Sequence, residues 1–68
     1  MVIDYHFKKA DEAWRVSDEL KSFYRYQREL GILGQIRYSN KFHVTVPETA
    51  VSKLEEIARR VKARYERK

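Results

Sequence analysis

The sequence predicts an α+β domain built in two layers, with the element order strand, helix, strand, strand, helix, and three observations carry that expectation. Three short stretches alternate apolar and polar residues, as half-buried strands do. Two longer stretches repeat their apolar residues at helical spacing. Each helix then has one apolar stripe and the strands one apolar face, so laying both helices on one face of an antiparallel sheet buries all of it.

The first strand runs from Val2 to Lys8, with Ile3, Tyr5 and Phe7 on one side and Asp4, His6 and Lys8 on the other. A helix follows. Asp11 reads as its N-cap, Glu12 sits where the helix dipole favours a negative charge, and Gly31 stands just past Leu30 as a C′ glycine. Those signals bracket about nineteen residues. Ala13, Val16, Leu20, Phe23, Tyr24, Gln27 and Leu30 fall on one side of this helix and form its core stripe.

Leu33 to Ser39 and Lys41 to Val46 alternate again, so Gly34, Ile36 and Tyr38 face inward from the second strand and Phe42, Val44 and Val46 from the third. Ser39 and Asn40 make the hairpin turn. Pro47 opens the last helix, where its missing N–H is no loss. Ala50, Val51, Leu54, Ile57, Ala58, Val61 and Tyr65 form the second stripe, Glu55 with Arg59 and Glu56 with Arg60 are oriented as i,i+4 pairs, and the residues beyond fray.

The right-handed crossover rule places the first two strands side by side or with a gap between them, and in the gapped arrangement the third strand fills the middle, antiparallel to both. The resulting three-stranded antiparallel sheet with both helices on one face resembles a ferredoxin-like split β-α-β arrangement lacking its last strand. Such a sheet leaves the first strand as an open edge. Pairing of that edge with a second copy about Tyr5 sets Asp4 of one chain opposite His6 of the other.

A chain of 68 residues fits a single domain, 1–68, with no internal repeat or linker. A domain this small has a modest core, and with no cysteine it has neither disulfides nor a thiolate zinc site, which favours a homo-oligomer, a dimer in the first instance. The amino terminus has no basic flank before an apolar run, and no segment reaches the ~20 apolar residues of a membrane span, so no membrane partner is expected and the cytoplasm is the expected location. The net charge of +5 and pI of about 9.7 point to polyanions as partners.

Four features are candidate sites. The outer sheet face carries Asp4, His6, Lys8, Gln35, Arg37, Ser39, Lys41, His43 and Thr45, and adjacent first and third strands bring His6, His43 and Asp4 together. These are few ligands among cations, so neither a metal nor another cofactor is expected. The face has no aromatic platform of the kind RNA-recognition sheets use. Trp14 falls about 140° from the centre of its helix's core stripe, which makes it a candidate interface anchor together with Asp4, Tyr5 and His6 of the edge strand.

From Phe23 to Arg28 aromatic and basic residues interleave, with Arg25 and Arg28 outside the stripe. The carboxyl end gathers Arg59, Arg60, Lys62, Arg64, Arg67 and Lys68 against Glu66. No nucleophile motif, phosphate-binding loop or paired-histidine helix is present, so an enzyme is not expected. The reading that results is a small basic homo-oligomeric module contacting nucleic acid non-specifically through basic helix faces, at Arg25, Arg28, Arg59, Arg60, Arg64 and Arg67. Two alternatives stand beside it: a protein-interaction or adaptor domain using Trp14 and the open edge, and a small enzyme whose site is shared between subunits around His6 and His43.

Overall fold

The structure, a computed structural model, describes residues 1–38 and 40–67. Strand β1, Val2–Phe7, buries Ile3, Tyr5 and Phe7 and leaves Asp4 and His6 half-exposed, as its alternation requires. Helix α1, Ala10–Tyr26, buries Ala13, Val16, Ser17, Leu20 and Tyr24. Its N-cap is Lys9, in extended backbone and without a side-chain cap, and Asp11 sits with Glu12 inside the first turn.

The helix ends at Tyr26, short of the expected Leu30, and glycine plays no part in stopping it. Arg28 adopts the left-handed conformation at φ 62°. Its N–H donates to the Arg25 carbonyl at 3.0 Å, and the Glu29 N–H donates to the Tyr24 carbonyl at 3.0 Å. This is a Schellman closure, which satisfies the orphan carbonyls of the last turn. Gly31 lies instead within a short helical segment α2, Leu30–Leu33, and Gln27 and Leu30 are exposed rather than on the core stripe.

The hairpin strands are β2, Arg37–Tyr38, and β3, His43–Pro47. The expected second strand from Leu33 is thus much shorter, since Leu33 belongs to α2. Within the connection, the Asn40 side-chain oxygen accepts the Phe42 and His43 N–H groups at 3.0 and 3.2 Å. The share of the turn expected of Ser39 lies outside the described residues. Pro47 closes β3 and is followed by a 3₁₀ turn, Glu48–Ala50, then helix α3, Val51–Arg60, which buries Leu54, Ile57 and Ala58.

A second Schellman closure ends α3: Lys62 stands at φ 60°, and the Ala63 N–H donates to the Ala58 carbonyl at 2.8 Å. The reversal sends the chain back along the sheet, and Tyr65–Arg67 form strand β4 rather than a frayed helix end. Tyr65 gains ring contacts with Tyr5 and Phe7, at centroid distances of 5.4 and 5.6 Å, that a solvent-side turn of helix would not supply. The sheet therefore has four strands in the order β2-β3-β1-β4, each pair antiparallel, and not the three expected.

β4 pairs with β1 from Tyr5↔Arg67 to Phe7↔Tyr65, on the edge where a second copy was expected to dock about Tyr5. Asp4 opposite His6 of another chain is not available in that register. Tyr5, Phe7, Val16, Leu20, Val44, Val46, Leu54 and Ile57 are fully buried and join both helices to one face of the sheet in a single core. The Tyr5 hydroxyl donates to Glu55 Oε2 at 2.9 Å, and Glu55 also faces Arg67 Nη1 at 3.7 Å, so one carboxylate ties β1, α3 and β4 together.

Helices α1 and α3 run antiparallel. Contacts set that direction: Glu12 Oε1 accepts the Arg64 N–H, Glu19 pairs with Arg60, and Lys53 Nζ stands 4.2 Å above the Phe23 ring. The carboxylates of α3 take partners other than the expected Arg59 and Arg60, since Glu55 turns to Tyr5 and Glu56 to Lys53. Among the described residues no helix is long and apolar enough to cross a membrane.

Candidate functional site

The outer face of the sheet is where the structure collects chemistry. β1 and β3 are neighbours with His6 directly opposite His43. The Phe7 N–H donates to the Phe42 carbonyl, and the alternation of an antiparallel ladder then makes His6 and His43 a non-hydrogen-bonded pair, the close kind. Their imidazoles stack, with centroids 4.5 Å apart and planes 18° from parallel. The His43 Nδ1 stands 3.3 to 3.4 Å from the Asp4 carboxylate oxygens, which can only accept, so this ring nitrogen is the donor. The approach of His6, His43 and Asp4 expected from the sequence is therefore present.

Two residues join this cluster that sequence reasoning placed elsewhere. Phe42 was expected to face the core with Val44 and Val46, but its ring meets His6 edge-on at 6.0 Å and is 37% exposed. The Asn40 side chain, by drawing in the Phe42 and His43 amides, bends the chain just before β3 and breaks the alternation there. Asn40 was the available signal, since Asx turns override strand periodicity at a strand's entrance. Glu66 is the second arrival, brought opposite His6 by β4. A helical reading of the carboxyl end gave it no place near the sheet.

Two shallow hollows flank Phe42. One, of about 370 Å³, is lined by His6, Phe7, Lys8, Phe42 and Glu66. The other, of about 550 Å³, is lined by His6, Asn40, Lys41, Phe42 and His43. Both lie open to solvent, and they share His6 and Phe42. Between them the hollows are lined by the rings of His6, His43 and Phe42, the ammonium groups of Lys8 and Lys41, and the carboxylate of Glu66. Among the described residues no group of three His, Cys, Asp or Glu side chains is placed to hold a metal ion.

The basic residues singled out in the sequence divide into two sets. Because α1 and α3 are antiparallel, Arg25 and Arg28 lie at one end of the domain and Arg59, Arg60 and Arg64 at the other. From Glu12, beside Arg64, to Arg25 is about 20 Å along α1 at 1.5 Å per residue. Arg60 pairs with Glu19 and Arg67 with Glu55, so both guanidiniums are partly neutralised. Lys68 lies outside the described residues.

The end that holds Arg59 also receives the β1–α1 connection and the turn before β3. It therefore gathers Lys8, Lys9, Lys41, Arg59, Lys62 and Arg64, all exposed, against Asp11, Glu12 and Glu66. Trp14 stays on the solvent side of α1, 57% exposed. Tyr26, at the other end, is 84% exposed, while Phe23 lies half-buried beneath Lys53. Compared with known protein families, with curated protein sequences and with solved structures, the chain matches none.

Proposed function

We propose that the protein is a small cytoplasmic nucleic-acid-binding module that takes hold of the phosphate backbone through one end of the domain. The observation that carries this reading is the convergence of Lys8, Lys9, Lys41, Arg59, Lys62 and Arg64, drawn from three separate chain connections, at the end of β1. Charges dispersed over a small basic protein attract polyanions weakly, whereas charges gathered at one end can meet the same stretch of backbone and release its counterions together. The order β-α-β-β-α-β with strands arranged β2-β3-β1-β4 supports reading the frame as ferredoxin-like. A homo-oligomer would repeat the basic end and raise its affinity by multivalency.

Fluorescence anisotropy of labelled oligonucleotides across a salt series tests the proposal. Log affinity should fall linearly with log salt, and replacing Arg59, Lys62 and Arg64 with glutamine should flatten the slope by up to about three times 0.7 to 0.9, the share of each phosphate contact. None of these side chains belongs to the core. Absence of binding to single strands and duplexes at about 50 mM salt, where electrostatic binders are tightest, removes the reading.

Trp14 favours a second reading, an interaction surface for protein. An indole more than half exposed on a helix has the character of an interface anchor.

A further inference from the structure

We infer that the outer sheet face seats unpaired nucleotides, with bases against His6, Phe42 and His43 and phosphates led toward the basic end, so that the preferred ligand is a single strand. The inference rests on the nucleic-acid reading above and names the site and the ligand form.

Three observations carry it. The central strands β1 and β3 present aromatic rings outward at adjacent positions, with His6 and His43 stacked and Phe42 edge-on to His6. Every base has a π-face, so such rings bind bases with little regard to sequence, but only where the bases are free of a duplex. Next, the hollows on either side of Phe42 share two aromatic residues, which makes them neighbouring seats for successive bases rather than two unrelated sites. Finally, Lys8 lines one hollow and Lys41 the other, and both belong to the basic end. A strand lying across the face therefore keeps its phosphates beside cations.

Charge decides the occupant. Glu66 shares the hollow of Lys8, so an apolar peptide would leave the surplus of cations beside the two hollows unengaged, and an acidic peptide would engage the lysines but bring no flat rings for His6 and Phe42. A nucleotide strand supplies both. A duplex, whose base faces are already stacked, reaches only the phosphate contacts.

The experiment measures binding of one short mixed-sequence strand, in DNA and RNA forms, and of the same DNA annealed to its complement, at about 50 mM salt. The wild type should prefer the strand, and the tighter of the DNA and RNA forms identifies the sugar. Phe42→Ala and His6→Ala should each lower single-strand affinity about five- to hundredfold, from the usual contribution of one stacked base, and leave duplex affinity unchanged. A variant combining Trp14→Phe with Phe42→Trp keeps a ring at the site and reports on it. Its fluorescence should be quenched by the single strand and not by inorganic polyphosphate.

Equal affinity for strand and duplex, unaffected by Phe42→Ala and with no quenching at position 42, overturns the inference while leaving a phosphate-binding end in place. Equal binding of polyphosphate and single strand overturns it as well. Failure of every nucleic-acid probe to bind removes both the inference and the reading it rests on.

Discussion

Replacing Tyr5 with phenylalanine removes one oxygen from the contact that ties β1 to α3. The ring of Tyr5 is fully buried and would stay where it is, so the change is confined to the hydrogen bond donated to Glu55 Oε2 at 2.9 Å. Bonds to a charged acceptor contribute about 1.5 to 3 kcal/mol. Glu55 keeps 29% of its side-chain surface exposed and retains Arg67 at 3.7 Å, so water and the guanidinium take over part of its solvation. The expected loss is at the lower end, about 1.5 kcal/mol at neutral pH, and for a domain of this size it lowers Tm by roughly 6 to 12 °C.

The same contact makes a pH prediction. Burial pushes the Tyr5 hydroxyl well above its ordinary range, and the hydrogen bond and charge of Glu55 push it further in the same direction. A folded-state pKa above the unfolded value means that the folded chain keeps a proton the unfolded chain releases. Its stabilisation is complete below about pH 10 and is lost as pH rises through the folded value. Burial also raises Tyr24 and Tyr65, so the wild type should lose stability on the alkaline side. Urea unfolding of wild type and Tyr5→Phe at neutral pH and at about pH 11 checks both statements, since the gap between them should narrow at the higher pH. Equal stability at neutral pH, or a gap that does not change with pH, refutes the reasoning.

Two further outcomes follow from particular residues. Lys62 holds a left-handed conformation that costs an L-residue about 1 to 2 kcal/mol, and glycine returns part of that gain as unfolded-state entropy, so Lys62→Gly should stabilise by about 0.5 to 1 kcal/mol. Thermal melting reads it, and an unchanged or lowered Tm contradicts the strain argument. If Trp14 anchors a contact with another chain, Trp14→Ala should weaken association by ~2 kcal/mol or more without unfolding the monomer. Light scattering that finds the wild type monomeric at high concentration disposes of that contact between copies.

Local signals were legible wherever a residue's own neighbours decided its state. The alternation of β1 is copied in its burial, and the stripes of α1 and α3 supplied most of the helical core. The meeting of His6, His43 and Asp4 was also readable, because antiparallel neighbours with one buried face have their register set by that face. Helix ends were less so. Gly31 looked like the stop signal, but helix α1 closes at Arg28, which accepts left-handed strain because two backbone hydrogen bonds repay it.

The rest depended on contacts between residues distant in the chain. Tyr65 fits the helical period of the stripe before it, and only the presence of Tyr5 and Phe7 across the sheet makes an extended conformation the better burial for its ring. That one choice adds β4, covers the edge of β1 and brings Glu66 beside His6. It also ties Arg67 to Glu55 and so withdraws it from the basic surface. The sequence by itself determined an α+β frame, a basic balance and a histidine pair, because composition and periodicity are local properties. Only the tertiary structure decided which cations share an end and which aromatic faces outward, because those depend on the antiparallel sense of two helices and on a bend made by Asn40.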